Sequence, residues 1–306
     1  MDGLPSCTAL CAKGKTQKSA MNIRYLGTAA AEGVPALFCD CRTCRICRER
    51  GGRNVRTRSQ ALIDDRLLID MGPDTLMHSL TQHIDFSHLE LCLITHTHED
   101  HFVPHNLEVR RRGYAQLTPG SLPLSVYGSQ ETGEALATAP DGKVNADGSV
   151  LFFALSPLTP TILHDSVAGD YEVTAIPAVH GTKSPYTYLI RNQQENKTLL
   201  YAHDTSIYED ESIWRWLDEH HPHLDLVSMD CTYGNDEGEH PRHHMNLTEN
   251  RTLRQLLLSH GLATEDTVFV ANHFSHNGKD SVYDEMIHLE NAKDFLISYD
   301  GMKIEF

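Results

Sequence analysis

Residues 91–102 read LCLITHTHEDHF. The near-continuous apolar start predicts a buried strand. Directly after it, His96, His98, Asp100 and His101 set four potential metal ligands within six residues. Imidazole and carboxylate together suit zinc, manganese or iron. A strand end is where a sheet delivers side chains to a cleft, and a loop there can point alternate residues at different ions. Further His and Asp residues also close predicted strand runs, among them His180 in AIPAVH, Asp204 in LLYAHD and His273 in VFVANH.

The remaining pattern predicts an α/β domain. Runs rich in β-branched and aromatic residues, bounded by Gly, Pro or Asp, predict strands from Asn22, Ser59, Arg66, Leu122, Tyr171, Thr187, Thr198, Leu224, Thr267 and Phe295. Helical periodicity covers residues 73–83, 104–112, 130–137, 211–220 and 247–260. Asn246 fits as N-cap of the last, and Gly261 fits its C-terminal stop. Residues 140–148, rich in Gly and Asp, are expected to be a loop. Two sheets packed face to face with helices outside satisfy this order, as do other layered α/β folds. Residues 1–20 are polar and read as a loose tail, leaving one domain over 21–306.

No run of 18 apolar residues exists in the 306, so no spanning helix is expected. The tail lacks the apolar stretch of a signal peptide, and the expected compartment is the cytoplasm. Net charge is −16, which opposes broad binding to nucleic acid or an anionic membrane. A small anionic substrate remains compatible, because bound ions invert the local field.

Four of the eight cysteines, Cys39, Cys41, Cys44 and Cys47, lie within nine residues. Thiols so close seldom make a disulfide framework with one another, and they predict a metal site in a reducing compartment. Cys39, Cys41 and Cys44 can hold three corners of a tetrahedral zinc. Cys47 is the local candidate for the fourth, and His276 the distant one.

HTHEDH resembles the H-x-H-x-D-H signature of the metallo-β-lactamase superfamily. The resemblance implies a four-layer αββα sandwich with two divalent transition metals, Mn or Zn. His96, His98 and His180 would hold one; Asp100, His101 and His273 the other; Asp204 would bridge them. A narrower resemblance is to the phosphoribosyl cyclic phosphate phosphodiesterases that accompany carbon–phosphorus lyase. That family shows G-x-G-G-x-x-x-V-P, C-x-C-x-x-C, H-x-H-x-D-H, T-H-I-S-H and D-G-M-E-I. The chain has GTAAAEGVP, CDCRTC, HTHEDH, NHFSH and DGMKI at matching places, and the likeness covers about residues 21–306. It implies His276, rather than Cys47, as the fourth ligand of a structural zinc. It also marks His244, in PRHHMNL, as the histidine that meets the phosphate ester, with His243 next to it if the register slips by one. Asp100 and His244 are the candidate catalytic residues. Departures from the pattern are Ala29 and Ala30 in the Gly-rich turn, His243 and Asn246 where the family has Asn and Asp, and a poorly matching stretch over 130–170.

The expected activity is hydrolysis of a small phosphate ester, cyclic esters first, by a hydroxide shared between two ions. His244 would protonate the leaving alkoxide. A homodimer is the assembly the resemblance suggests. Other readings are a tRNA 3′-end processing nuclease, a protein like the pyrroloquinoline quinone biosynthesis B family without hydrolase activity, and a purely structural or sensory zinc protein. Lys183 and the Arg110–Arg111–Arg112 run are weighed as substrate contacts, with solvated surface as the simpler reading.

Overall fold

The computed structural model describes residues 20–138, 144 and 146–306. The expected tail, but for Ala20, and most of the first half of the 140–148 loop lie outside these. Six strands open the chain: β1 (Asn22–Gly27), β2 (Gln60–Ile63), β3 (Leu67–Ile69), β4 (Leu91–Leu93), β5 (Leu124–Gly128) and β6 (Val150–Ala154). They lie side by side in that order. A second sheet takes the next seven: β7 (Thr161–Asp165), β8 (Gly169–Pro177), β9 (Tyr186–Asn192), β10 (Lys197–Ala202), β11 (Leu226–Asp230), β12 (Val268–Asn272) and β13 (Leu296–Ile297). The last strand, β14 (Lys303–Glu305), returns to the first sheet and pairs antiparallel with β1.

Alternation decides which face each strand buries. Tyr25, Ile63 and Leu93 of the first sheet pack against Tyr188, Tyr201 and Val270 of the second, forming the central core. Side chains of opposite parity, such as Leu62, Leu68 and Val126, face outward under helices α3 (Pro104–Glu108) and α4 (Gln130–Ala137), which add Leu107 and Leu136. On the other side α5 (Glu211–His220) and α6 (Leu247–Ser259) cover Leu200, Val227 and Phe269 with Ile213, Leu217, Leu253 and Leu257. The four layers expected from the signature are present. Asn246 caps α6 as expected: its side chain accepts from Glu249 N at 2.8 Å, and the Glu249 carboxylate accepts from Asn246 N at 2.9 Å.

Several elements differ from the expectations. β6 and β7 are edge strands, and on β6 only Val150 is fully buried, so period-2 patterning is weak there. A helix over Arg42–Arg50 was not expected, because the side chains it buries are Thr43, Cys44 and Cys47 rather than aliphatic residues. The helix from Pro104 stops at Glu108 instead of reaching 112. Arg110 Nε and Nη2 donate to the carbonyls of Ser149 and Leu122, holding that stretch as a turn.

Strands β3 to β6 run parallel, as do β10 to β13. β8 runs with β10, because both are antiparallel to β9. The carboxyl ends of β3, β4, β8, β10, β11 and β12 therefore deliver their next residues to one rim.

Candidate metal centre

The His96–His101 loop leaves β4 against the end of β3. Asp70, one residue past β3, is fully buried and accepts from Thr95 N at 2.8 Å and from His101 Nδ1 at 2.7 Å. Gly72 lies so close that an added Cβ would stand 2.2 Å from the carbonyl oxygen of Asp100. Met71 N donates to His101 O at 2.8 Å, and Val103 N to Met71 O at 2.8 Å. The loop is thus pinned along its length.

Three imidazoles converge at its mouth. His98 Nδ1 lies 3.1 Å from His96 Nε2 and 3.0 Å from His180 Nε2. Ligand atoms around one tetrahedral ion with bonds of about 2.0–2.1 Å stand about 3.3 Å apart. The Thr95 hydroxyl donates to Asp70, so His96 Nδ1–H donates to Thr95 Oγ1 at 3.0 Å and the Nε2 lone pair points into the cluster.

Asp204 follows β10 and His273 follows β12. The two oxygens of Asp204 face different ways. Oδ1 is 3.4 Å from His180 Nε2, while Oδ2 is 2.9 Å from both His101 Nε2 and His273 Nε2. Asp100 Oδ2 is 3.2 Å from His101 Nε2. These contacts are close, yet His101 Nε2, His273 Nε2 and Asp204 Oδ2 are buried without a hydrogen bond among the described residues. Crowded but unbonded, that donor set fits a cation. His96/His98/His180 and Asp100/His101/His273 each form a compact group able to hold an ion, with Asp204 between them.

The electrostatics agree. Burial lowers the His273 imidazole, but the Asp204 carboxylate outweighs it and lifts His273 to about 10. His101 is raised well above its ordinary value despite burial, by Asp204 and Asp100. His96, held by burial and by the charge on His101, lies well below. Burial raises Asp204, yet His273 and His101 hold it far below the usual carboxylate range. A cation among these carboxylates, proton or metal ion, relieves the same charge.

Asp230 ends β11. Its carboxylate accepts from the backbone N–H of Asp204 (3.0 Å), Thr232 (2.9 Å) and Met245 (3.0 Å), and from His244 Nδ1 (2.9 Å). Those four bonds make it an orienting group. The His244 ring stacks on His273 with centroids 5.7 Å apart and stands 5.0 Å from His180. His243 is exposed, and its carbonyl accepts from His180 Nδ1 at 3.3 Å. Thr232 Oγ1 lies 2.9 Å from His273 Nδ1. Asp70, Gly72, Asp230 and Thr232 had no role in the sequence reading. The available signal was that RLLID and LDLVSMD, like LLYAHD, end their strand runs on Asp. Lys183 is exposed, and Arg111 pairs with Glu108 at 2.8 Å.

The second cluster is built on α1 (Arg42–Arg50). Cys41 is its N-cap, with Sγ accepting from Cys44 N at 3.4 Å. Cys39 Sγ accepts from Cys41 N at 3.4 Å, and Cys44 Sγ from Ala36 N at 3.3 Å. His276 Nδ1 completes the group, 3.5 Å from Cys39 Sγ and 3.7 Å from Cys41 Sγ, and the four form one metal-capable set. Burial raises the Cys41 thiol, but hydrogen bonding, first from Cys44, brings it down to about 6. Cys47 lies apart, among Ala29, Val34 and Val282, and burial pushes its thiol up to about 11.

Two mixed sheets face to face, helices on both outer sides and a His/Asp cluster on the rim define a metallo-β-lactamase fold. Residues 65–270 match the beta-lactamase superfamily domain, and the chain belongs to that superfamily. It is similar to a diphosphatase of the PhnP family, with TM-score 0.69 and 21% identity over 94% of this chain and 97% of that one. It is also similar to Zn²⁺-bound PqqB from Methylobacterium extorquens, with TM-score 0.68 and 17% identity over 92% and 99%. Human tRNase Z, short form, aligns with TM-score 0.58 and 15% identity over 92% and 98%. Among curated proteins, an octanoyltransferase from Porphyromonas gingivalis is 39% identical over 85 residues, which span 26% of this chain and only 16% of that protein. No helix among the described residues is long and apolar enough to cross a membrane.

Proposed function

We propose that the chain is a metal-dependent phosphodiesterase for a small phosphate ester, with cyclic esters the leading class. His96, His98 and His180 would hold one ion and Asp100, His101 and His273 a second, with Asp204 placed between the two groups. Cys39, Cys41, Cys44 and His276 would hold a structural zinc. The observation that carries this reading is that buried His101 Nε2, His273 Nε2 and Asp204 Oδ2 crowd together without a hydrogen bond among the described residues, in a cluster that adjoins the His96/His98/His180 group. Divalent ions held by these residues would supply a nucleophile from water at neutral pH and offset phosphate charge. The chain's own part in proton transfer falls to His244. Its Nδ1–H donates to Asp230, which leaves Nε2 to carry a proton and give it to the leaving alkoxide. The likeness to a PhnP-family diphosphatase supports phosphate-ester chemistry, and the net charge of −16 disfavours a tRNA substrate.

The test is metal content per chain after purification without chelator, beside hydrolysis of bis(p-nitrophenyl) phosphate with and without Mn²⁺. About three ions per chain and Mn²⁺-stimulated diesterase activity are expected, after which cyclic ribose phosphates are the next substrates. One zinc and no activity would sink the two-ion hydrolase and leave the thiolate site standing.

A further inference from the structure

Arg56 is the largest fully buried side chain, and the proposed chemistry gives it no part. Its Nη1 donates to Thr28 Oγ1 at 2.9 Å and to the Ser298 carbonyl at 2.7 Å, while Nε and Nη2 have no hydrogen-bond partner among the described residues. A buried guanidinium with two unmet donors is costly and needs a reason to persist. Its Cζ lies over the Phe274 ring, 4.2 Å from the ring centre, an attraction that strengthens when desolvated.

Phe274 stands between His273 and His276, so one short segment carries a ligand candidate into each cluster. His273 departs from ordinary backbone geometry, with φ at +61°. A side chain other than glycine stays there only when its surroundings over-determine it. Phe274 N donates to Thr28 O, Ala30 N donates to Phe274 O, and the Ser298 hydroxyl donates to the Asn272 side chain. Arg56 joins these threads, because its side chain holds both Thr28 and Ser298. Its backbone reaches the other way: Arg56 N donates to Val34 O and Val34 N to Arg56 O, fixing the loop that leads to Cys39.

We propose that the two metal clusters are mechanically coupled, and that Arg56 is the positioning residue that couples them through Phe274. This rests on the ligand assignments above. An ion on the thiolate set fixes His276; the segment clamped by Arg56 passes that placement to His273, so each site's affinity depends on the other being filled.

The test uses the full chain and two ions, Zn²⁺ for the thiolate set and Mn²⁺ for the histidine–aspartate set. Retained zinc is measured by mass spectrometry and Mn²⁺ affinity by titration. Variants are Arg56→Met, Cys44→Ser and the double change, with ion-free stability measured separately. Arg56→Met is expected to weaken both ions roughly 10–100-fold, the range for lost outer partners. Cys44→Ser should weaken Mn²⁺ binding in the wild-type background and add little in the Arg56→Met background. Unchanged affinities, or purely additive effects, overturn the coupling. If Arg56→Met does not fold, Phe274→Leu removes the ring face while keeping the bulk, and the same two results decide. Failure of the wild-type chain to take up either ion would instead overturn the ligand reading itself.

Discussion

Three side chains at the rim, Asp70, Asp204 and His273, have φ of +69°, +50° and +61°. Asp and His tolerate this region better than most residues, at a cost of order 1–3 kcal/mol each. Asp70 and His273 immediately follow a strand and Asp204 lies two residues past one, and the left-handed turn at each throws its side chain back toward the cleft. His244 is reached differently, by a loop tethered through Asp230. Changing His244 to Ala should lower turnover about 10²–10⁴-fold while metal content stays level; full activity would remove it from proton transfer. His78 offers a second residue-level test, away from the ligands. Burial holds its imidazole down at about 4, between Thr57 Oγ1 (2.7 Å) and Gln60 Oε1 (2.6 Å). Unfolded, it titrates near 6.5, so the unfolded chain binds more protons between about pH 6.5 and 4, and acidification through that window costs stability. The window is worth about 3 kcal/mol, so in chelated samples His78→Gln should lose that much less than wild type between pH 7 and 4. Equal losses in denaturant melts would contradict the assignment.

At the scale of elements, strands were the most legible. Runs such as LCLIT and VFVAN are long, apolar and bounded, and each appears as a buried strand. His96, His180, Asp204 and His273 were legible for the same reason, since each closes such a run. What stayed hidden depends on contacts between distant segments. An Asp at a strand end suits a turn as well as a carboxylate behind a ligand, so Asp70 carried no distinguishing mark, and Asp230 only its place in MDCTY, which matches an M-D-C of the similar family. Gly72 is needed only because Asp100 passes over it. Gly72→Ala should therefore displace the ligand loop, lowering both Mn²⁺ binding and the melting temperature. A variant that melts and binds like wild type would show that the loop can yield. The capping box of α6 predicts a purely local effect: Asn246→Ala should cost about 1 kcal/mol, and Asn246→Asp much less, in denaturant unfolding.

For the whole molecule, ion binding and folding are one equilibrium. The ligand groups belong to the folded chain, so an ion at a hundred times its dissociation constant should stabilise it by about 2.7 kcal/mol per site. Melting with graded Mn²⁺ and with chelator measures this directly, and a melting temperature indifferent to both would argue against ions bound in the folded state. The site also lies on a seam. Asp70 and the His96–His101 loop hang from the first sheet, whereas His180, Asp204, Asp230 and His273 hang from the second. Apart from β14, the first sheet is made wholly from sequence before residue 155 and the second wholly from sequence after 160. Neither half of the polypeptide inherits a working centre. Cleavage between Ala154 and Thr161 would divide the ligands into two incomplete sets, and a tightly held metal pair would then report that the halves had reassociated in register.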